Sequence, residues 1–451
     1  MKLTFLGATQ TVTGSKYLIE SAQRKILVDC GLFQGYKALR LKNWSPLPVQ
    51  PKDIDAVILT HAHIDHSGYL PLLVKNGFTG YIYTTQATFD LCSILLPDSG
   101  HIHEEDAKKA NLYGYSKHHP ALPLYTKEDA ERSLCQFKTI QFSKSFDLFD
   151  TFEITLRRAG HILGAAMAQI ETEKTKCLFT GDLGRPLDPV MNPPDLVQDT
   201  DYLILESTYG DRLHDPSDPK DRLGSIIRET AKRGGSILIP AFAVGRSQAV
   251  LYYLQKLKEE GQIPNLPIYL DSPMAIDATK ILQKHLGEHK LSYEQCEKTC
   301  HIAKYINTVE ESKQIDQETM PKIIISASGM MTGGRILHHI KAYAPHSKHT
   351  ILINGFQAGG TRGDRLLKGE RVLKIHGKMV PINAHIEYLT NTSAHADYEE
   401  ILQWLEGFKR FPRKVFITHG EHQASLSLKS KIESRFGWMC ELPAYLDEKI
   451  L

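Results

Sequence analysis

The sequence predicts an α/β protein in which a strand-rich first part is interrupted by a long insert and then resumed. Three observations carry this. Up to about residue 210 short apolar runs dominate (KYLIE, KILVDCG, DAVILTH, GYIYTT, FEITLRRAGH, KCLFTGD, DYLILEST), most of them closed by Gly, Asp, His or Thr. Beyond that point SILIPAFAVGRSQAVLYYLQKLKEE, PIYLDSPMAIDATKILQKH and KIIISASGMMTGGRILHHIK each run apolar strand, small-residue turn, helix, and HTILINGF leads into the Gly-rich QAGGTRGDRLL. That alternation predicts a parallel sheet flanked by helices, with ligand sites at the carboxyl ends of its strands. The C-terminal stretch then returns to strands and helices around KVFITHGEH.

At 451 residues the chain exceeds a single ordinary core. HDPSDPKDR, at 214–222, reads as a linker, so the expected division is one domain from 1–210 and 386–451 with an inserted domain over 211–385. Apolar content of 41% and charged content of 24% are those of a soluble globular protein. No apolar run reaches the roughly eighteen residues of a membrane span, and MKLTFLGA reads as a first strand rather than a signal peptide. Seven scattered cysteines, an odd number, suit a reducing, cytoplasmic setting. Cys296, Cys300 and His301 lie close together without a second ligand pair at finger spacing, and read as structural.

The net charge of +2 does not announce a general polyanion binder. Any such site must be a local concentration of charge. One candidate holds Arg362, Arg365, Lys368, Arg371, Lys374 and Lys378 against Asp364 and Glu370; a solvated face is the plain alternative.

The densest chemistry is in LTHAHIDHSGYL. His61 and His63 stand two apart after an apolar strand, so their side chains project the same way and can share one ion. Asp65 and His66, past a local turn, can face a neighbouring ion. Histidine with carboxylate suits zinc, iron or manganese. Four side chains cannot complete two coordination shells. Other strand ends offer His161 in RRAGHILGA, Asp182 in LFTGDLGR and His419 in FITHGEH, each of which taken singly reads as an ordinary turn or cap residue.

The order HAHIDH, His161, Asp182 and a late His419, preceded by VDCGLFQG with Asp29, resembles the metallo-β-lactamase superfamily. The resemblance implies a four-layer αβ/βα sandwich with metals at one sheet edge. It implies that His61, His63 and His161 bind a first ion, that Asp65, His66 and His419 bind a second, that Asp182 bridges them, and that Asp29 orients the loop. The separation of 237 positions from Asp182 to His419 narrows the branch. Glu206 in ILESTYG, His395 in TSAHAD and His419 in THGEH look like motifs A, B and C of the β-CASP nucleases, and PAFAVGRSQ, DSPMA and SASGMMTGGR resemble their inserted cassette. The predicted fold class is therefore a metallo-β-lactamase αβ/βα sandwich with an inserted β-CASP domain containing a parallel sheet flanked by helices. The architecture resembles bacterial and archaeal relatives of the pre-mRNA 3′-end cleavage nuclease. Histidine at motif C is the form associated with RNA; the DNA-repair branch carries valine there. Ahead of His395 the chain reads YLTNTSAHAD, with Asn391-Thr392 where glycine and an aromatic residue are common in the family.

The resemblance implies a zinc-dependent ribonuclease with two Zn2+ per chain, acting on single-stranded RNA and leaving 5′-phosphate and 3′-hydroxyl ends; a homodimer fits the family. Two cations can lower the pKa of a water to near neutral and neutralise the phosphate. The leaving 3′ oxygen needs a proton, for which His395 is the expected general acid, with Glu206 orienting it and holding its protonated form. Glu206 reads otherwise as a buried strand-end carboxylate. Ser393 can donate to a phosphate oxygen. Ser326, Ser328 and Gly329 lie where backbone N–H groups can form an anion nest, and Arg246 can reach the RNA backbone or tie its own turn. An enclosed cleft favours a flexible single strand over a duplex. His101 and His103, in DSGHIHEED, read as helical surface residues. The alternatives are a DNA nuclease, a metallo-β-lactamase-fold hydrolase of another ester or amide, and an inactive scaffold of an RNA-processing assembly.

Overall fold

Strands covered on both faces are apolar throughout rather than alternating. Ile26, Leu27 and Val28 of Arg24–Val28, and all of Ala56–Ile58, are of this kind and fully buried. In the computed structural model, which describes residues 1–114 and 116–451, they sit inside a seven-stranded sheet. The chain divides into two compact units: Met1–Leu187 with Asn192–Leu213 and His395–Leu451, and His214–Ala394 with Asp188–Met191.

The first unit is two seven-stranded sheets. In one the order is Glu448–Ile450, Lys2–Phe5, Tyr17–Ser21, Arg24–Val28, Ala56–Ile58, Tyr81–Thr84, Phe137–Thr139; in the other it is Cys440–Glu441, Lys414–Thr418, Tyr202–Glu206, Lys176–Phe179, Ala166–Glu171, Phe152–Arg158, Ser145–Leu148. Period two decides which side chains meet between them. Leu3 and Phe5, Ile26 and Val28, Ala56 and Ile58 face Ile154 and Leu156, Ala166, Ala168 and Ile170, Phe179 and Phe416 in one core. Helix Gln86–Tyr113 packs on Lys127–Leu134 and on Phe137–Thr139, and His422–Phe436 packs on Lys414–Thr418. This is the αβ/βα sandwich that the sequence predicts. The long helix starts where Thr85 accepts from the Thr88 N–H and stops at Gly114, which takes the left-handed conformation.

The second unit is built on a six-stranded parallel sheet, ordered Lys304–Tyr305, Ile268–Leu270, Ile323–Ser326, Ile237–Pro240, Thr350–Asn354, His385–Leu389. Its strands alternate between two cores. Ile237, Ile239, Ile323, Ile325 and Leu352 pack beneath the helices Pro219–Lys232, Arg246–Glu259 and Pro273–Lys284. Leu238, Ile324, Ile351 and Ile353 pack on the other face against Ile336, Leu337 and Ile340 of Ile336–Tyr343. The return crossing falls at 394/395 rather than at 385/386, and the outward one at 213/214 rather than 210/211. The cause of the first difference is the strand His385–Leu389, which completes the insert's sheet beside Thr350–Asn354. Asn391, at the departure from the family pattern, donates to the carbonyls of Ser217 (2.6 Å) and Asp215 (3.4 Å), tying together the two ends of the insert. No helix among the described residues is long and apolar enough to cross a membrane.

Behind DSPMA lies a buried charge network. The Asp271 carboxylate accepts from Arg335 Nη1 (2.6 Å), His339 Nε2 (2.8 Å) and Ser312 Oγ (2.5 Å), and His339 Nδ1 donates to Asp316 (2.6 Å). Burial pulls His339 down, but Asp271 and Asp316 outweigh it and raise its pKa to about 9.

Candidate metal centre

HAHIDH leaves the strand Ala56–Ile58 in extended conformation and turns into a short helix, Ile64–Ser67, directly after His63. The loop is held from beneath by Ser15 and the VDCGLFQG segment. Ser15 N–H donates to Asp65 O (2.9 Å), Cys30 N–H to His66 O (2.7 Å) and Leu32 N–H to Ile64 O (2.9 Å). Gly31 has no alternative here, since a Cβ would lie 1.6 Å from Asp65 O. Asp29 and His419 both adopt left-handed backbone conformations (φ 57° and 47°), a strain that non-glycine residues keep where surrounding structure enforces it.

The side chains from distant strand ends converge in two groups. In the first, His61 Nε2 is 3.2 Å from His63 Nδ1 and 3.3 Å from Asp182 Oδ2, while His161 Nε2 is 3.2 Å from His63 Nδ1 and 3.4 Å from the same Asp182 oxygen. In the second, His419 Nε2 is 3.1 Å from His66 Nε2 and 3.3 Å from Asp65 Oδ2. Asp182 turns its other oxygen, Oδ1, to this group, 3.2 Å from His66 Nε2. One carboxylate thus presents one oxygen to each trio.

These spacings fit a metal. Four donors placed tetrahedrally at about 2.0–2.1 Å from an ion stand about 3.3–3.4 Å apart. The hydrogen bonds behind the rings also leave bare nitrogens facing inward. His66 Nδ1 donates to Asp29 Oδ2 (2.7 Å). Thr60 Oγ1 donates to Asp29 (2.9 Å) and therefore accepts from His61 Nδ1 (3.1 Å). Thr208 Oγ1 donates to His419 O (3.1 Å) and accepts from His419 Nδ1 (3.2 Å). The Nε2 atoms of His66 and His419 then stand 3.1 Å apart, a spacing that one proton or one cation shared between them satisfies.

The protonation states of the first trio agree. Burial holds His61 and His161 below the ordinary histidine range and His63 down to about 3, so all three are neutral donors. In the second trio burial lowers the His66 pKa, but Asp182 and then Asp29 outweigh it and raise it well above the ordinary range, a proton that a bound cation would replace. Burial alone would raise Asp65 and Asp182. For Asp65 the neighbouring His419 and His66, and for Asp182 the nearby histidines, outweigh it, so both carboxyls lie well below the usual range. His61, His63, His161 and Asp182, and separately Asp65, His66 and His419, are groups that could hold metal ions.

Glu206, at the end of Tyr202–Glu206, is fully engaged. Oε1 accepts from Leu183 N (2.7 Å) and His395 Nδ1 (3.0 Å), and Oε2 from Thr208 N (3.1 Å). It fixes the turn next to Asp182 and the histidine together. The His395 ring lies 4.4 Å from that of His161 and 6.1 Å from that of Tyr209, nearly parallel to the latter. Burial lowers the His395 pKa, but Glu206 and then Asp182 outweigh that and raise it. Two hydroxyls in this site, Thr60 and Thr208, are absent from the sequence reading; their only signal is adjacency to His61 and proximity to Glu206.

The other candidates lie in the second unit. The Ser326 hydroxyl is buried and donates to Asp271 O (2.8 Å), while Ser328 Oγ accepts from Thr332 N (3.0 Å) at the turn that follows. Gly329 O accepts from Gln357 Nε2 (3.2 Å). The Arg246 guanidinium lies flat on Gly355, where a Cβ would be 2.5 Å away. Ser393 is buried at the end of this unit. His101 and His103 stay on Gln86–Tyr113, the latter edge-on to Tyr125. Cys296 and Cys300 are 4.0 Å apart, with His289 rather than His301 beside Cys296.

Residues 11–89 match the metallo-beta-lactamase superfamily, 247–366 the Beta-Casp domain and 379–443 a Zn-dependent metallo-hydrolase RNA specificity domain. Among characterised relatives, Ribonuclease TTHA0252 of Thermus thermophilus is 33% identical, over 95% of each chain. Transcription termination factor FttA of Methanocaldococcus jannaschii is 30% identical over 99% of this chain and 71% of that protein, and FttA of Methanosarcina mazei is 31% identical over 96% and 69%. A crystal structure of a protein of unknown function from Enterococcus faecalis V583 shares the fold at a TM-score of 0.55 and 13% identity, over 100% of this chain and 99% of that one.

Proposed function

The chain belongs to the β-CASP family of metallo-β-lactamase-fold, metal-dependent nucleases, and from that premise we propose that it is a zinc-dependent ribonuclease hydrolysing phosphodiester bonds of single-stranded RNA. His61, His63 and His161 would hold one zinc ion, Asp65, His66 and His419 a second, and Asp182 would join them. The observation that carries this is the Asp182 carboxylate with one oxygen on each trio. Bound zinc supplies Lewis-acid charge for the phosphate and makes a water easier to deprotonate near neutral pH.

The protein's own groups do the rest. Asp29, Thr60 and Thr208 keep His66, His61 and His419 in the tautomer that leaves Nε2 bare. Glu206 accepts the Nδ1–H of His395, stabilises its charged form and leaves Nε2 as the proton donor to the departing 3′ oxygen. The products are a 3′-hydroxyl and a 5′-phosphate. Histidine rather than an aliphatic residue at 419 supports RNA as substrate.

Two variants test the assignment together. Asp182→Ala should lose bound zinc and cleavage together; retention of two ions with full activity would defeat the bridging role. His395→Ala should keep its zinc and cleave about 10²–10⁴-fold more slowly, and loss of zinc there would make His395 a ligand instead.

A further inference from the structure

The second unit carries a solvent-open groove of about 1020 Å³, above the roughly 300–1,000 Å³ of small-molecule pockets. Its rim holds His346, Lys348, Arg371 and His385, and the half-buried Pro345 and Ile386 give it an apolar floor above the core residues Ile382 and Ala384. It lies where the strands Thr350–Asn354 and His385–Leu389 begin. That is the amino end of the parallel sheet, opposite the strand ends that lead into AFAVGR, DSPMA and SASGMMTGGR.

The walls are fixed before any ligand arrives. Asn383 and Ala384 N–H both donate to Ala344 O (2.8 and 2.9 Å), His385 N–H to His349 O (2.9 Å), and Asn383 Nδ2 to Pro345 O (2.9 Å). On the other side, Ile382 N–H donates to Arg371 O (2.8 Å). No carboxylate lines the groove, and Glu387, on the same strand as His385, is paired with Arg222 at 2.6 Å. Among the described residues neither Lys348 nor Arg371 makes an ion pair, and both are exposed. The buried His349 behind them is pushed to about 4, by burial and then by the charges of Lys348, His346 and Lys322.

This sorts the basic stretch 362–378. Arg362 donates to the carbonyls of Lys374, Met331 and Thr332, Arg365 is paired with Glu370, and Lys368 with Asp364. Arg371 instead shares the lining of the groove with Lys348, His346 and His385. Two unpaired cations and two imidazoles over an apolar floor suit a single strand, whose phosphates take the charges while its bases cover the floor and stack on the rings.

We propose that this groove is a second binding site for the phosphate backbone of single-stranded RNA, engaging a stretch of strand other than the one being cut. The inference rests on the ribonuclease reading above. The test is the double variant Lys348→Glu/Arg371→Glu. In a His395→Ala background, binding of a long fluorescent single-stranded RNA is measured by anisotropy over a salt series. With native His395, hydrolysis of bis(4-nitrophenyl) phosphate is measured. Affinity should fall at least tenfold, and the salt slope by about 1.4, two phosphates at about 0.7 each; hydrolysis of the small ester should not change. Equal affinity and slope in the two proteins would overturn the groove while leaving the ribonuclease reading intact. Absence of RNA binding by the parent protein, with the small ester still hydrolysed, would overturn both.

Discussion

Asp29→Asn changes one atom and should disable one of the two trios. In the native site Asp29 Oδ1 accepts from Thr60 N–H (2.8 Å), and Oδ2 accepts from Thr60 Oγ1 (2.9 Å) and His66 Nδ1 (2.7 Å). An asparagine must keep its oxygen on the Thr60 N–H, because the reverse orientation sets two N–H groups against each other at that distance. Its NH2 then faces Thr60 Oγ1, which can accept, and His66 Nδ1, which must give up its hydrogen. His66 is forced into the other tautomer, with Nε2 protonated and pointing at His419 and Asp182. His61 is spared, since Thr60 Oγ1 still accepts from it. Loss of such a partner typically costs 10–100-fold in metal affinity, about 1.4–2.7 kcal/mol. Zinc titration against a competing chelator should show one site near parental affinity and one weakened by that factor. Two sites of parental affinity, or equal weakening of both, would refute the reasoning.

Glu206→Gln should keep zinc but lower single-turnover RNA cleavage, since His395 loses the charge that favours its protonated form; the Thr208 N–H facing Oε2 should also cost about 1–3 kcal/mol of stability. Loss of zinc in that variant would count against the orienting role. His339 titrates in the fold near 9 against about 6.5 unfolded. A raised pKa gives stability that is complete below about pH 6.5 and gone above about 9, on the order of 3 kcal/mol. Denaturant titrations at pH 6 and pH 10 should show that difference shrinking in His339→Gln, and an unchanged pH dependence would exclude the network as its source. Chelation should lower the melting temperature of the first unit: an ion present at about 1,000 Kd stabilises by about 4 kcal/mol. A chelated protein melting at the same temperature would show that zinc does not hold the ligand strands together.

Most of the candidate ligands stand out in the sequence because they lie just beyond apolar strands, where period two and a small-residue turn aim a side chain out of the sheet. Asp65 and His66 lie in the short helix Ile64–Ser67 that follows. His161, Asp182 and His419 carry little information singly; their order along the chain made them readable. Thr60 and Thr208 escaped because a threonine beside a histidine or glutamate is ordinary in sequence, and its role depends on which neighbour accepts. HIEYL names no sheet by itself; its parallel pairing with Thr350–Asn354 assigns it to the insert. The 362–378 stretch read as one patch because the groups that engage Arg362, the Met331 and Thr332 carbonyls, are about thirty positions away in sequence.

The central claim, a zinc-dependent centre that cuts RNA through the Asp182-joined trios and His395, is tested most directly with single-stranded RNA and matching DNA, each labelled separately at the 5′ and 3′ ends. The zinc-loaded protein should cleave the RNA, leave 5′-phosphate and 3′-hydroxyl ends, and stop when chelated, with His395→Ala far slower at equal zinc content. Cleavage of DNA alone, or RNA cleavage indifferent to the chelator, would contradict it.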